Sequence, residues 1–190
     1  LIDIRNVFLK KLGEKVEKLK STNSQIIQHA YENQLGIKKI HKCCLKTIET
    51  RDIGALFKFI CSKAAEILRV DVIKIVVSHS TFSNSNIQNC ILKSNEEIIK
   101  FAQKIGFTEG KTVRLTNVVN DKKKEAEQLI AREESTKSEA IISLLVNNEF
   151  KGFLFFESVD ESTFSVDQST DYLEFFAQVI SKHLESLLYK

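Results

Sequence analysis

Hydrophobic residues recur at heptad spacing along the first forty residues, in two rows on one side of a predicted helix. Apart from Asn23 and Asn33, every position in these rows is apolar. An asparagine such as Asn23, in the first row, is the kind of residue that fixes the register of a coiled-coil dimer. The first row consists of Leu9, Val16, Asn23, Ala30 and Ile37, and the second of Leu12, Leu19, Ile26, Asn33 and Ile40. The pattern predicts a helical, coiled-coil-like extension over residues 1–36.

Five residues of these rows form an apolar seam, while lysines and glutamates occupy the rest of the helix circumference. The apolar seam consists of Leu9, Leu12, Val16, Leu19 and Ile26. Burying about 400 Å² of such a strip is worth about 10 kcal/mol before entropy costs, at about 25 cal/mol per Å². We therefore expect the seam to face the same helix of a second chain in a homodimer. The alternative, in which the extension folds back onto its own chain, stays open.

The rest of the chain alternates helix and strand patterns. Asp52 is a good N-cap for a second helix that continues through Ile67. Ser94 and Glu97 form a capping box that opens a further helix, and Asp171 with Glu174 can cap the last helix. Strands are predicted over 71–78, 87–93, 111–117, 139–146 and 150–158, with a loop over 79–86, a charged helix over 121–134 and a turn at 147–148.

The last predicted strand is apolar on both faces, with Phe153 and Phe155 on one side and Leu154 and Phe156 on the other. A strand of this kind lies near the centre of a sheet and is covered on both faces. The sequence therefore predicts an α/β (α+β) fold. In this fold an antiparallel sheet of five or six strands is flanked by helices in a domain over residues 37–190.

Composition and charge indicate a globular protein without a membrane span. Hydrophobic residues make up 43% and charged residues 28% of the 190 residues, as in ordinary globular domains. No stretch approaches the about 20 apolar residues of a membrane span, so no membrane partner is expected. Residues 1–63 carry 13 basic and 6 acidic side chains, and residues 139–190 carry 3 and 9. A basic helix could attract nucleic acid, but a solvated helix face explains the charge equally well. Nucleic acid is therefore not the expected partner, although this alternative stays open.

Four cysteines without a C-x-x-C pair are typical of reduced thiols in a cytoplasmic protein. His41, Cys43 and Cys44 could share one helix face, but zinc requires four convergent ligands, so no metal is expected. No serine or cysteine stands in a recognisable nucleophile motif, and we expect neither catalysis nor a cofactor. The chain contains no methionine and begins at Leu1, so the true start of the protein is expected to precede this residue.

Several short motifs carry a resemblance to known families. Residues 150–158 are similar to the GAF strand Gly-x-Leu-x-Phe-x-Ser, and Phe164 precedes the last helix as in GAF domains. Residues 31–34, 39–42, 138–144 and 169–173 resemble motifs of the bacterial domain-of-unknown-function family 484. The resemblance covers most of residues 30–190. It implies a GAF-like fold, in which the first and last helices cover one sheet face and a ligand-sized pocket opens on the other.

A GAF-like pocket is the natural place for a small ligand. His79, Cys90 and Arg114 follow or lie within the first three predicted strands, and His79 with Arg114 could hold a small anion. The resulting hypothesis is a non-catalytic GAF-like sensing or interaction module in signalling, which dimerises through helices. The alternatives are a scaffold whose pocket is filled by its own side chains, and a nucleic-acid-associated protein that uses the basic helix.

Overall fold

A computed structural model describes residues 4–82, 90–107, 112–118, 129–165 and 170–189. The helices are α1 (Ile4–Ile48), α2 (Ile53–Phe59), α3 (Ala65–Leu68), α4 (His79–Phe82), α5 (Asn95–Lys104) and α6 (Asp171–Leu188), with a π-helical turn over Ile60–Ala64 between α2 and α3. The strands are β1 (Val72–Ser78), β2 (Ile91–Lys93), β3 (Val113–Asn117), β4 (Ser138–Val146) and β5 (Glu149–Ser158). The chain is thus a mixed α/β protein with a five-stranded sheet and a long N-terminal helix.

Two compact units divide the chain, residues 1–38 and residues 39–190. The sequence had placed its boundary after residue 36. The first unit is helical throughout its described length. The second unit, called the body below, holds the end of α1, the sheet and all the other helices. Within the described residues, no helix combines the length and the apolar character needed to cross a membrane.

Local capping signals fix several helix starts, as the sequence predicted. Asp52 accepts a hydrogen bond from the backbone N–H of Ala55 at 2.7 Å. Ser94 and Glu97 form the complete capping box, each side chain accepting a backbone N–H of the other residue. At α6 the prediction was off by one position, because the residue before the helix is Thr170. The Thr170 hydroxyl donates to Glu174 Oε1 at 2.6 Å and caps no backbone N–H.

The strand order is β2-β1-β5-β4-β3, so β5 lies at the centre and β4 beside it. This confirms the central position predicted for the two-faced strand. The β4–β5 hairpin turns at Asn147 and Asn148, whose φ angles of 52° and 62° are those of the two-residue turn that matches strand twist. β5 pairs antiparallel with β1 as well, with Leu154 opposite Ile75 and Ile142.

The expectation of a wholly antiparallel sheet is wrong at one edge. β2 pairs with β1 in parallel, with Val76 opposite Ile91. Twelve residues separate the two strands and include α4, which is about the length that a parallel crossover connection requires. The predicted loop over 79–86 begins with this helical turn, because Phe82 is buried against Phe57 with ring centroids 5.9 Å apart. Residues 83–89, and with them the start of the predicted second strand, lie outside the described residues.

The predicted charged helix over 121–134 is not helical where the structure describes it, over 129–134. Leu129 and Ile130 are both buried, and the backbone after them is held by side chains of the sheet. The Ala131 carbonyl accepts from Lys74 Nζ at 2.8 Å, and the Glu133 N–H donates to Glu157 at 3.2 Å. These contacts use backbone groups that a helix would need, so tertiary packing overrides the local preference.

Both faces of the sheet are covered by apolar side chains. On one face the end of α1, α2, the π-helical turn and α6 pack on the sheet. On the other face α5 and residues 129–130 pack on Val76, Ile141, Phe153 and Phe155. Gly152 allows β5 to approach β1 closely, since a Cβ at this position would lie 2.4 Å from the Val76 carbonyl oxygen.

Candidate functional site

The three residues predicted to line a ligand pocket lie apart in the sheet. Arg114 is on β3, at one edge, and pairs with Ile141, so it belongs to the α5 face. Cys90 immediately precedes β2, at the other edge, and packs against the core on the opposite face. Four strand spacings, about 19 Å, separate these two edges. His79 is exposed at the start of α4. The described residues therefore do not bring Arg114 together with Cys90 in one pocket.

The α5 face of the sheet is filled by its own phenylalanines. Phe101 of α5 meets Phe153 of β5 edge-on, with centroids 5.1 Å apart and ring planes at 79°. Phe107 approaches the same ring at 6.0 Å, and Phe155 lies 6.3 Å from it. These four rings are at most 5% exposed. At this place, where a GAF-like pocket was expected, the described side chains form a packed aromatic core.

Charged side chains continue this face at its far end, where Glu139 of β4 and Glu157 of β5 lie directly opposite each other. Both are 1% exposed. Arg132 forms a bidentate salt bridge with Glu139, in which Nε donates to Oε2 at 2.9 Å and Nη2 donates to Oε1 at 2.6 Å. A buried carboxylate is stable only when it is paired in this way.

The Glu157 carboxylate is contacted by three groups. Its Oε2 accepts from the Thr136 hydroxyl at 2.9 Å and from the Glu133 N–H. Lys74 Nζ lies 2.8 Å from Oε1, close enough for charge neutralisation but not aligned as a hydrogen bond. We call Arg132, Glu139, Glu157 and Lys74 the charge clamp. It fastens residues 131–136 across the end of the sheet.

The charge clamp was not predicted from the sequence, although a signal for it was present. Glu157 stands two and four residues after Phe155 and Phe153, and Glu139 stands two residues before Ile141. Because alternate residues of a strand share a face, these acids continue the buried apolar face of β5 and β4. A charged residue at such a position indicates a buried ion pair, but the sequence alone could not name its partners.

Open cavities of about 210 to 390 Å³ lie on the body, at or below the low end of the range for ligand sites. The smallest of them is lined by Phe101 and Leu129, beside α5. One cavity beside α6 has Ser143, Gln178, Ser181 and Lys182 in its lining. Lys182 already pairs with Glu185 at 2.8 Å, and Ser181 accepts the Leu145 N–H at 3.1 Å. None of these four cavities includes His79, Cys90 or Arg114 in its lining.

The cysteines are arranged as core residues. Cys43 and Cys44 are buried, and burial raises the pKa of the Cys43 thiol to about 12, with smaller contributions from Cys44 and Lys42 in opposite directions. Burial, reinforced by Cys90, also raises the pKa of Cys61 to about 11. Thiols with such pKa values are neutral at pH 7 and are poor nucleophiles. Among the described residues, no three His, Cys, Asp or Glu side chains converge as a metal site.

Thiol reactivity tests this arrangement. At pH 8, iodoacetamide is expected to modify Cys43 in the native protein about 1,000-fold more slowly than in the urea-unfolded chain, since raising the pKa from 9.0 to about 12 lowers the thiolate fraction by that factor. Fragment-ion mass spectrometry of the tryptic peptide over 43–46, which holds both Cys43 and Cys44, locates the modified thiol and so measures both rates for Cys43. Native and unfolded rates within tenfold of each other would show that this thiol is not buried.

The apolar seam lies open to solvent in the first unit. The exposed fractions are 62% for Leu9, 49% for Leu12, 42% for Val16, 69% for Leu19 and 59% for Ile26. The two heptad rows continue into the body, where Ile40, Cys44 and Thr47 are at most 7% exposed. One stripe of α1 is therefore covered by the body at its end and uncovered along residues 9–26. Among the described residues, this is the largest uncovered row of aliphatic side chains at regular spacing.

Comparison with known families confirms the resemblance to family 484. A search of curated proteins finds no match to this chain. The family model described as "Protein of unknown function, DUF484" matches residues 1–188, which include both α1 and the body. Since the match covers nearly the whole chain, the protein belongs to the DUF484 family.

Proposed function

We propose that this protein is a non-catalytic interaction module, in which a GAF-like body is joined to a helix that dimerises through the apolar seam. The open stripe on α1 carries this proposal. A solvated helix usually exposes single apolar residues, whereas a regular apolar row is typical of a surface that another helix covers. The partner we propose is a second copy of the chain, because a two-fold pair is the commonest assembly of identical subunits.

The packing of the sheet supports the filled-scaffold alternative over small-molecule sensing. A sensor of the GAF type requires space on the sheet face opposite the first and last helices. Here Phe101, Phe107, Phe153 and Phe155 occupy that face: the rings of Phe101 and Phe155 meet Phe153 edge-on, and the Phe107 ring is tilted against it. The body is therefore proposed to be a rigid platform, and recognition is proposed to take place on its surface and along α1.

Two features support the GAF-like character of the body, and one departs from it. The strand order has the Gly-x-Leu-x-Phe-x-Ser strand at its centre. The end of α1 and α6 cover one face, and α5 covers the other. The parallel pairing of β1 and β2 departs from the antiparallel sheet that the resemblance implied.

The energetics of the seam are sufficient for association. Fully burying one Leu, Ile or Val side chain is worth about 1.5–3 kcal/mol. The five seam residues are roughly half exposed, so each gains about 1 kcal/mol on complete burial. Ten such residues in a dimer contribute about 10 kcal/mol, against an association cost of several kcal/mol. The apolar seam therefore supplies enough free energy to favour association, and sedimentation measures how tightly the two chains associate.

Sedimentation velocity tests the proposal. The wild-type protein at 5–50 µM is expected to sediment as a dimer, and the variant Leu12→Lys/Leu19→Lys as a monomer with a folded body, because two charges per chain would enter the buried seam. The matched control is Tyr31→Lys/Leu35→Lys on the other side of the same helix, which should remain dimeric. A monomeric wild-type protein at 50 µM would refute dimerisation through α1.

A further inference from the structure

The two asparagines in the heptad rows decide how a second copy can lie along α1. Asn23 follows Leu9 and Val16 in the first row, and Asn33 follows Leu19 and Ile26 in the second. Both are exposed in the chain. In a two-stranded assembly both would be buried at the interface, where an amide without a hydrogen-bond partner is costly. The favoured arrangement is the one that gives each amide a partner.

An antiparallel arrangement pairs first-row residues of one copy with second-row residues of the other. Asn23 would meet Asn33 only if the alignment were centred on residue 28, which places Val16 against Ile40 and Leu12 against Cys44 of the second copy. Ile40 and Cys44 are already buried in the body of their own chain. This alignment is therefore blocked.

Antiparallel alignments that use only the open part of the stripe leave the amides unpaired. The alignment centred on residue 21 sets Asn23 against Leu19 and Asn33 against Leu9. Shifting it by one heptad in either direction sets Asn23 against Leu12 or against Ile26. Each of these alignments buries an amide against an aliphatic side chain, which offers it no hydrogen bond.

A parallel, in-register arrangement pairs each residue with its own copy. Asn23 then faces Asn23 and Asn33 faces Asn33, and each pair can form an amide–amide hydrogen bond. An asparagine in the first row, as Asn23 is, is known to select two strands and to fix their register. The apolar seam residues likewise face their own copies.

We infer that the second copy lies parallel to α1 and in register with it, held in that register by the Asn23 and Asn33 pairs. This inference rests on the dimerisation proposed above. The main unfavourable interaction in the parallel dimer is charge repulsion between Lys15 of one copy and Lys20 of the other. Lys20 also pairs with Glu17 of its own chain at 3.2 Å, and both side chains of that pair are well exposed. The repulsion is therefore small and screened by salt, and the dimer should tighten as ionic strength rises.

Distances between spin labels on the full-length protein distinguish the orientations. Labels are attached at Lys10→Cys and, separately, at Glu32→Cys, in a background in which half-buried Cys61 and Cys90 are replaced by alanine. A parallel dimer gives no axial offset between the labels at either site. The antiparallel alignment centred on residue 21 gives an offset of about 33 Å at both sites, from a rise of 1.5 Å per residue. The unlabelled background, treated identically, controls for labelling of the buried cysteines.

The outcomes separate the two proposals. Short distances of about 20–30 Å at both sites, set by the coil width, are expected for the parallel dimer. Long distances at both sites, in a protein that sediments as a dimer, would overturn the parallel orientation and leave dimerisation through α1 intact. A labelled protein that sediments as a monomer and shows no intermolecular distance would overturn the proposed function itself.

Discussion

Leu154→Asp is expected to unfold the body at 25 °C. Leu154 lies on the central strand, is fully buried, and has Ile75 and Ile142 as its neighbours on the two flanking strands. A carboxylate at this position would have no cation within its apolar surroundings, and burying it costs several kcal/mol in addition to the lost packing. Since a domain of this size is stable by about 5–15 kcal/mol, this one substitution removes most or all of its stability.

Circular dichroism and limited proteolysis measure this result. The variant should lose the cooperative thermal transition of the body and become sensitive to protease throughout residues 39–190. The matched control is Val159→Asp, one residue beyond the same strand, where the side chain is 45% exposed and a change of about 0.5 kcal/mol or less is expected. If Leu154→Asp melted at the wild-type temperature, the central position of β5 would be wrong.

The central strand was predictable because its signal is local. Four consecutive apolar residues, Phe153 to Phe156, leave neither face of the strand free for water. The same holds for the helix starts at Asp52 and Ser94, whose side chains bond to backbone groups three residues away. Such features depend on nearby residues, so the sequence contains all the information they need.

The parallel β2 strand and the irregular 129–137 segment depend on distant residues instead. The β2 edge is set by where the chain re-enters the sheet after α4, and a run of three residues carries no information about direction. Residues 131–136 are held by Lys74 and Glu157, which are more than twenty residues away. Local helix preference predicted the wrong state there because these long-range contacts outweigh it.

For the candidate site, too, the local features were predictable from the sequence and the features that depend on distant residues were not. Heptad spacing is a local property, and it identified the five seam residues that the structure leaves exposed. The grouping of His79, Cys90 and Arg114 required knowledge of which strands are neighbours. The sheet order places Cys90 and Arg114 at opposite edges, an arrangement that spacing along the chain does not determine.

Removing Arg132 is expected to be the most destabilising change among the charged residues described. Arg132 is 6% exposed at its side chain and Glu139 is 1% exposed, so solvent cannot replace the two-pronged contact between them. Arg132→Ala takes away the cation that holds the Glu139 carboxylate, and such a loss typically costs about 3–5 kcal/mol. Lys63→Ala is the matched control, because the Lys63–Glu66 pair is exposed and such pairs contribute about 0–1 kcal/mol.

A double variant shows whether the loss of stability comes from the unpaired Glu139 carboxylate or from the packing of residues 129–137. In Arg132→Met/Glu139→Leu both charges are replaced by apolar side chains of similar size. Replacing a buried ion pair in this way is often neutral or stabilising, so urea denaturation should return the free energy of unfolding close to the wild-type value. If the double variant is as unstable as Arg132→Ala, the bonds that Arg132 makes stabilise the segment itself. If Arg132→Ala alone unfolds at the wild-type urea concentration, the ion pair is not buried as described.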